Sequence, residues 1–85
     1  MNKDILKTSF NGLNKTAVLM NIDAIEALFL AVQSGAMDKE TAIAEAEHIV
    51  NEPIKKQIGG FAEEDVRAYF RKIRDAIRDY EPENK

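Results

Sequence analysis

Residues 62–80 read AEEDVRAYFRKIRDAIRDY, the most regular pattern in the chain. The apolar residues recur at spacings of three and four, which places them on one face of an α-helix. They are Val66, Tyr69, Phe70, Ile73, Ile77 and Tyr80. Such a stripe must pack against other elements, so the stretch predicts a C-terminal helix with its inner face in the core. We expect this helix to run from about Ala62 to about Tyr80.

A row of arginines follows the same helix beside the apolar stripe. The row consists of Arg67, Arg71, Arg74 and Arg78. Planar guanidinium groups in a row can bind carboxylates or phosphates, but they are equally typical of a solvated helix surface with ion pairs. Within the helix, Glu63 can pair with Arg67, and Asp75 can pair with Arg71, each four residues apart. The row is the leading candidate binding site, with both interpretations open.

A central helix is predicted over residues 16–34, where apolar residues cover nearly the whole circumference. Gly35 can supply the left-handed residue that ends it. A break near Asn21 is an alternative, because the next residues can form a capping box. Leu19 and Leu30 fall on the narrow polar strip of this helix, where they can mark a self-association or partner surface.

A further helix is predicted from Asp38, which can cap it, to about Val50. Residues 51–53 should end it, because the residue before a proline is pushed out of the α region. Residues 54–58 can form one short helical turn. Gly59-Gly60 then permits a sharp reversal of the chain.

The segment before the central helix is open to two interpretations. Its apolar residues fit a helical stripe, whereas Asn11-Gly12 is a strong signal for a two-residue hairpin turn. We favour a short helix over residues 4–10 that is capped by Gly12. The reason is that a lone hairpin is marginal in water and nothing later in the chain supplies a third strand.

The sequence therefore predicts an all-α fold, a small helical bundle of three long helices plus one or two short helices. The alternative is an N-terminal β-hairpin at Asn11-Gly12 followed by three helices. A chain of 85 residues fits one domain. We assign residues 1–80 to this domain and residues 81–85 to a flexible tail.

Charge is divided between two of the predicted helices. Residues 38–52 hold five acids and one lysine, whereas residues 55–79 hold seven bases and five acids. The two helices can pair within one chain or across the two-fold axis of a homodimer. The net charge of −3 argues against a protein that coats nucleic acid through its overall field.

No pattern in the chain is typical of a catalytic or metal centre. There is no cysteine, and the single histidine has no thiol to activate. Glu45 and His48 form one Glu-x-x-His motif, but a di-metal centre needs a second copy and inward-pointing ligands. We therefore expect no enzymatic activity, no metal and no cofactor.

The most apolar stretch, residues 17–32, is shorter than the roughly 20 residues that cross a bilayer. It also contains Asn21, Asp23 and Glu26. The first residues lack the pattern of a secretory signal. We expect a buried helix of a soluble, cytoplasmic protein without a membrane partner.

By elimination, the sequence predicts a non-enzymatic protein–protein interaction module, such as a small regulator, adaptor or inhibitor. The expected partner is another protein with an acidic surface, and homodimerisation is plausible. Nucleic acid contacted through its phosphates is the alternative. The predicted contact residues are Arg67, Arg71, Arg74, Arg78, Leu19 and Leu30. Small acidic helical proteins are frequent among bacterial and phage regulators, an association of size and composition alone.

Overall fold

Three helices and a small two-stranded sheet make up the computed structural model, which describes residues 6–81. In chain order the elements are β1 (Thr8–Leu13), α1 (Lys15–Ser34), α2 (Lys39–Asn51), β2 (Lys56–Gln57) and α3 (Glu63–Asp79). The prediction of three long helices is confirmed, and each helix contacts the other two. The molecule is elongated, with dimensions of 49 × 21 × 16 Å. The predicted tail lies, apart from Glu81, outside the described residues.

α1 begins after Asn14 and ends before Gly35. The Asn14 side-chain oxygen accepts a hydrogen bond from the Ala17 N–H at 2.9 Å, which satisfies one of the free N–H groups of the first turn. Gly35 has a φ of 82°, the left-handed conformation expected of a glycine at a helix end. The helix continues through Asn21 without a break.

α2 and α3 begin and end close to where the sequence places them. The Asp38 carboxylate accepts a hydrogen bond from the Thr41 N–H at 2.8 Å. Hydrogen bonding from Thr41 holds the pKa of Asp38 below its usual value, because it favours the charged carboxylate. α2 ends two residues before Pro53. α3 opens with the three acids of residues 63–65, at the positive end of its dipole.

The N-terminal segment is a strand, so the predicted short helix ending at Gly12 is wrong as far as the described residues reach. Residues 8–13 form β1, which runs antiparallel to β2 with Gly12 opposite Gln57. The segment is therefore extended, as in the alternative interpretation. Asn11 and Gly12, however, lie inside the strand and not in a hairpin turn.

The partner of β1 comes from the segment after Pro53, where a short helical turn was predicted. The residues there form no helix, Lys56–Gln57 are β2, and the antiparallel contact continues past β2. The Ser9 N–H donates to the Gly60 carbonyl at 2.8 Å. Gly59 has a φ of 78° and allows the chain to turn, as predicted for Gly59-Gly60. A strand partner distant in sequence thus removes the reason for favouring a helix at the N-terminus.

The core lies between the three helices and includes the end of β1. The predicted inner face of α3 is confirmed, with Tyr80 partly buried beside it. Ala42 and Ala46 are fully buried and let α2 approach the other helices closely. The buried apolar residues are Leu6, Leu13, Val18, Ile22, Ile25, Val32, Ala42, Ala46, Val50, Val66, Tyr69, Phe70, Ile73 and Ile77.

Candidate functional site

The arginine row of α3 lies on the side of that helix that faces α2. The Arg67 Nη1 donates to the Val50 carbonyl at 2.8 Å, and its Nη2 lies 3.5 Å from the Glu63 carboxylate. The Val50 carbonyl belongs to the last turn of α2, where carbonyls lack a helical partner. Only 17% of the Arg67 side chain is exposed. Arg67 therefore caps α2 and has little surface left for a partner.

Arg74 is a second tether between the same two helices. Its Nη1 lies 3.0 Å from the Glu47 carboxylate of α2, and its Nε donates to Asp75 at 3.0 Å. Partial burial acts to lower the pKa of Arg74, but the bonds to Asp75 and Glu47 outweigh it and raise the pKa. The guanidinium group thus stays charged and pairs the basic helix with the acidic helix inside one chain.

Arg71 and Arg78 are the exposed members of the row. Arg78 lies 3.2 Å from Asp75 and 3.4 Å from Asp79. Asp75, predicted to pair with Arg71, bonds instead to Arg74 and Arg78. Among residues 6–81 no ion pair involves Arg71. The row is therefore divided into two internal tethers and two solvent-facing side chains.

α1 carries an exposed apolar face on the side away from the core. The exposed fractions of its large side chains are 40% for Leu19, 66% for Met20 and 64% for Leu30. Ala24 and Ala27 are exposed between them. We call these five residues the α1 outer face. Of these five residues, the sequence identified Leu19 and Leu30 alone.

The outer face exists because α1 is apolar on nearly all sides but is covered on one side only. Its buried residues are Val18, Ile22, Ile25 and Val32. Of its most apolar 18-residue window, 22% is buried. The prediction of a buried central helix is therefore correct for the inner side alone. A helix that is hydrophobic all round is normally enclosed on every side, so the outer face is suited to a further contact.

α1 also has the length and apolar composition that crossing a bilayer requires, judged by these two criteria alone. With 20 residues it is longer than the stretch considered from the sequence. Core helices of soluble proteins and signal sequences satisfy the same two criteria. The expected absence of a membrane span stays a prediction.

α3 is joined to α1 through aromatic residues on the flank opposite the arginine row. The Tyr69 hydroxyl donates to the Glu26 carboxylate at 3.0 Å. Burial and this hydrogen bond raise the pKa of Tyr69 to about 12, because both disfavour a negative phenolate. The rings of Phe29 and Tyr80 meet edge to face, with centroids 5.9 Å apart. One flank of α3 thus contacts α2, and the opposite flank contacts α1.

A shallow, open depression lies over the C-terminal half of α2. Its volume is about 640 Å³, and one of its carboxylates, Glu47, is already paired with Arg74. Glu45 and His48 are exposed. Within residues 6–81 no three His, Cys, Asp or Glu side chains come together as a metal site would require. The depression is lined by Ala44, Glu47, His48, Asn51, Glu52 and Pro53.

A second exposed apolar feature lies at the sheet. Phe10, placed on a helical stripe by the sequence, is 81% exposed, and Ile58 in the turn after β2 is 74% exposed. Phe10 lies in the exposed first part of β1, whereas the last two residues of that strand, Gly12 and Leu13, are buried. The helical interpretation of this segment did not predict that Phe10 would be exposed.

No protein-family profile, no curated protein and no solved structure matches this chain.

Proposed function

We propose that this chain is a cytoplasmic, non-enzymatic protein-interaction module, a small regulator, adaptor or inhibitor, and that it binds through the α1 outer face. The observation that supports this is the exposure of Leu19, Met20 and Leu30 on one side of a helix whose other side packs the core. Fully burying one such side chain contributes roughly 1.5–3 kcal/mol. Three together can drive association.

The exposed arginines have a supporting role in this proposal. Arg71 and Arg78 lie on α3, away from the outer face, and can attract an acidic partner over a distance. Rim charges of this kind act mainly on the rate of association and on its salt dependence. Nucleic acid remains the alternative ligand that these two side chains would bind. It is the weaker candidate, because Arg67 and Arg74 are held by bonds within the chain.

Site-specific photo-crosslinking in the native lysate tests the proposal. A benzophenone amino acid replaces Leu30 in one variant, Arg71 in a second and the exposed Ala44 of α2 in a control. We expect discrete protein adducts from position 30 and none from position 44. Absence of adducts at position 30 contradicts the proposal.

The other two outcomes identify the alternatives. If protein adducts form at position 71 alone, the binding site is the arginine row and not the α1 outer face. Retention on duplex DNA that falls steeply with salt, and that Arg71→Ala reduces, supports the nucleic-acid alternative.

A further inference from the structure

We infer that the α1 outer face binds the same face of a second copy, with the two α1 helices antiparallel about a two-fold axis near residue 25. This inference rests on the proposed function, in which the outer face binds protein. A two-fold axis requires one surface to complement itself. The residues of this face meet that requirement in their order along the helix.

With about 100° of rotation per residue, three residues of the outer face and three exposed polar neighbours project within an arc of about 80° on the exposed side of α1. They are Thr16, Met20, Asp23, Ala27, Leu30 and Ser34. Reversal about residue 25 brings Met20 to the level of the second copy's Leu30, so each end of the pair holds two apolar side chains at the same level. Asp23 then meets Ala27, a small neutral residue that lets the helices approach.

The direction of pairing follows from Asp23. In a parallel pair the two Asp23 carboxylates would lie at the same level and repel each other. In the antiparallel pair they are separated by about 6 Å along the axis, from a rise of 1.5 Å per residue. The antiparallel arrangement therefore separates the like charges and keeps the apolar contacts.

Charges at the ends of α1 also favour the antiparallel arrangement. The Asn14 N–H donates to the Lys55 carbonyl at 2.7 Å, so Lys55 lies beside Lys15 at the start of the helix. The turn after the other end of α1 ends at the exposed Asp38, and Glu40 is exposed in the first turn of α2. Antiparallel pairing places the basic start of each α1 near the acidic turn of the other copy, twice by symmetry.

A lipid bilayer fits the same face less well. Asp23 lies near the midpoint of the 20-residue helix, where a bilayer is least tolerant of charge. Two helices of about 30 Å that meet along one face make a small interface compared with the roughly 1,200–2,000 Å² of a stable complex. We expect a reversible dimer with a Kd on the order of 10 μM.

Sedimentation equilibrium of the full chain, from about 1 μM to about 1 mM, tests the pairing. The average mass should rise from 9.6 kDa toward twice that value. Leu30→Asp and Met20→Lys should remain monomeric with unchanged helical circular dichroism, while Ala44→Asp should dimerise like the native chain. Asp23→Asn should dimerise about 3- to 10-fold more tightly, because it removes the like charges. A native chain that stays monomeric throughout overturns the inference.

The absence of cysteine allows the direction to be tested by disulfide formation. Thr16→Cys and Ser34→Cys should form a disulfide when the two variants are mixed, because these positions share a level in the antiparallel pair. Neither variant alone should form one, since its two copies would be about 27 Å apart along the axis. Disulfides from either variant alone overturn the antiparallel pairing.

Failure of the dimer can be distinguished from failure of the proposed function. If the native chain is monomeric but the probe at position 30 captures a different protein, the dimer is overturned and the proposed function stands. Sedimentation with phosphatidylcholine vesicles that Leu30→Asp abolishes would identify lipid as the occupant. That result overturns both proposals.

Discussion

Gly12 and Gly60 lie back to back where β1 meets the segment after β2. A Cβ atom on Gly60 would collide with the carbonyl of Leu13, and one on Gly12 would collide with the carbonyl of Gly60. Neither glycine has a positive φ. They are required because two backbones approach too closely for any side chain. The close contact explains why a segment with an apparent helix end at Gly12 is extended instead.

We predict that Gly60→Ala destabilises the domain more than Gly59→Ala. Gly59 has a φ of 78° but open space around its Cβ position, so alanine there costs about 1–2 kcal/mol of conformational strain. At Gly60 the colliding atoms are backbone, which cannot rotate away, and the cost should reach about 3 kcal/mol. Urea denaturation of both variants measures the difference. Equal losses would show that the strands can separate at little cost.

Other residue positions depended on information that the sequence does not carry locally. Leu19 and Leu30 could be assigned to the outer side of α1 because they fall next to Asp23 and Gln33 on the helical wheel. Met20 could not, since on the helical wheel it has the polar Thr16 and Asp23 on one side but only alanines, such as Ala24 and Ala31, on the other. The place of such a residue depends on which side the other helices cover.

At the scale of elements, the helices were predictable and the sheet was not. α3 has a polar side and an apolar side, and α2 has a capping aspartate and a proline stop, so local sequence defines both. β1 finds its partner in β2, more than forty residues later in the chain. Pairing over such a separation leaves no periodic signal in either segment. The closure of that long loop is driven by packing of Leu13 and by the Gly12–Gly60 contact.

The opposite charges of α2 and α3 also act at this scale, and they lead to a second stability prediction. Arg74→Ala should destabilise the domain by about 1 kcal/mol, because it removes the bond to Glu47 from a side chain that is 20% exposed. The loss is no larger because Glu47 itself is 46% exposed and solvent screens the ion pair. Arg71→Ala is the matched control and should change stability by less than about 0.5 kcal/mol. Thermal melting measures the difference. Equal melting temperatures for the two variants would exclude a tethering role for Arg74.

At the scale of the whole molecule, the three helices are joined by two chemically different flanks of α3. Arg67 and Arg74 join it to α2 on one side, and Tyr69 joins it to α1 on the other. Pairing of the acidic and basic helices within the chain uses one pair of opposite charges, Glu47 and Arg74. The apolar side of α1 is left as the surface for association.

Burial of the Tyr69 hydroxyl and its hydrogen bond to Glu26 make the stability of the whole domain depend on pH in the alkaline range. Folding raises the pKa of Tyr69 from 10.0 to about 12, so the native state favours the neutral phenol. This contribution is complete below pH 10 and is lost as the pH rises toward 12, because the unfolded chain loses its proton first. The free energy of unfolding, measured with urea from about pH 8 to about pH 12, should fall more steeply for the native chain than for Tyr69→Phe. The phenylalanine variant keeps the ring and every other titrating group, so parallel curves for the two proteins would show that folding does not raise the pKa of Tyr69.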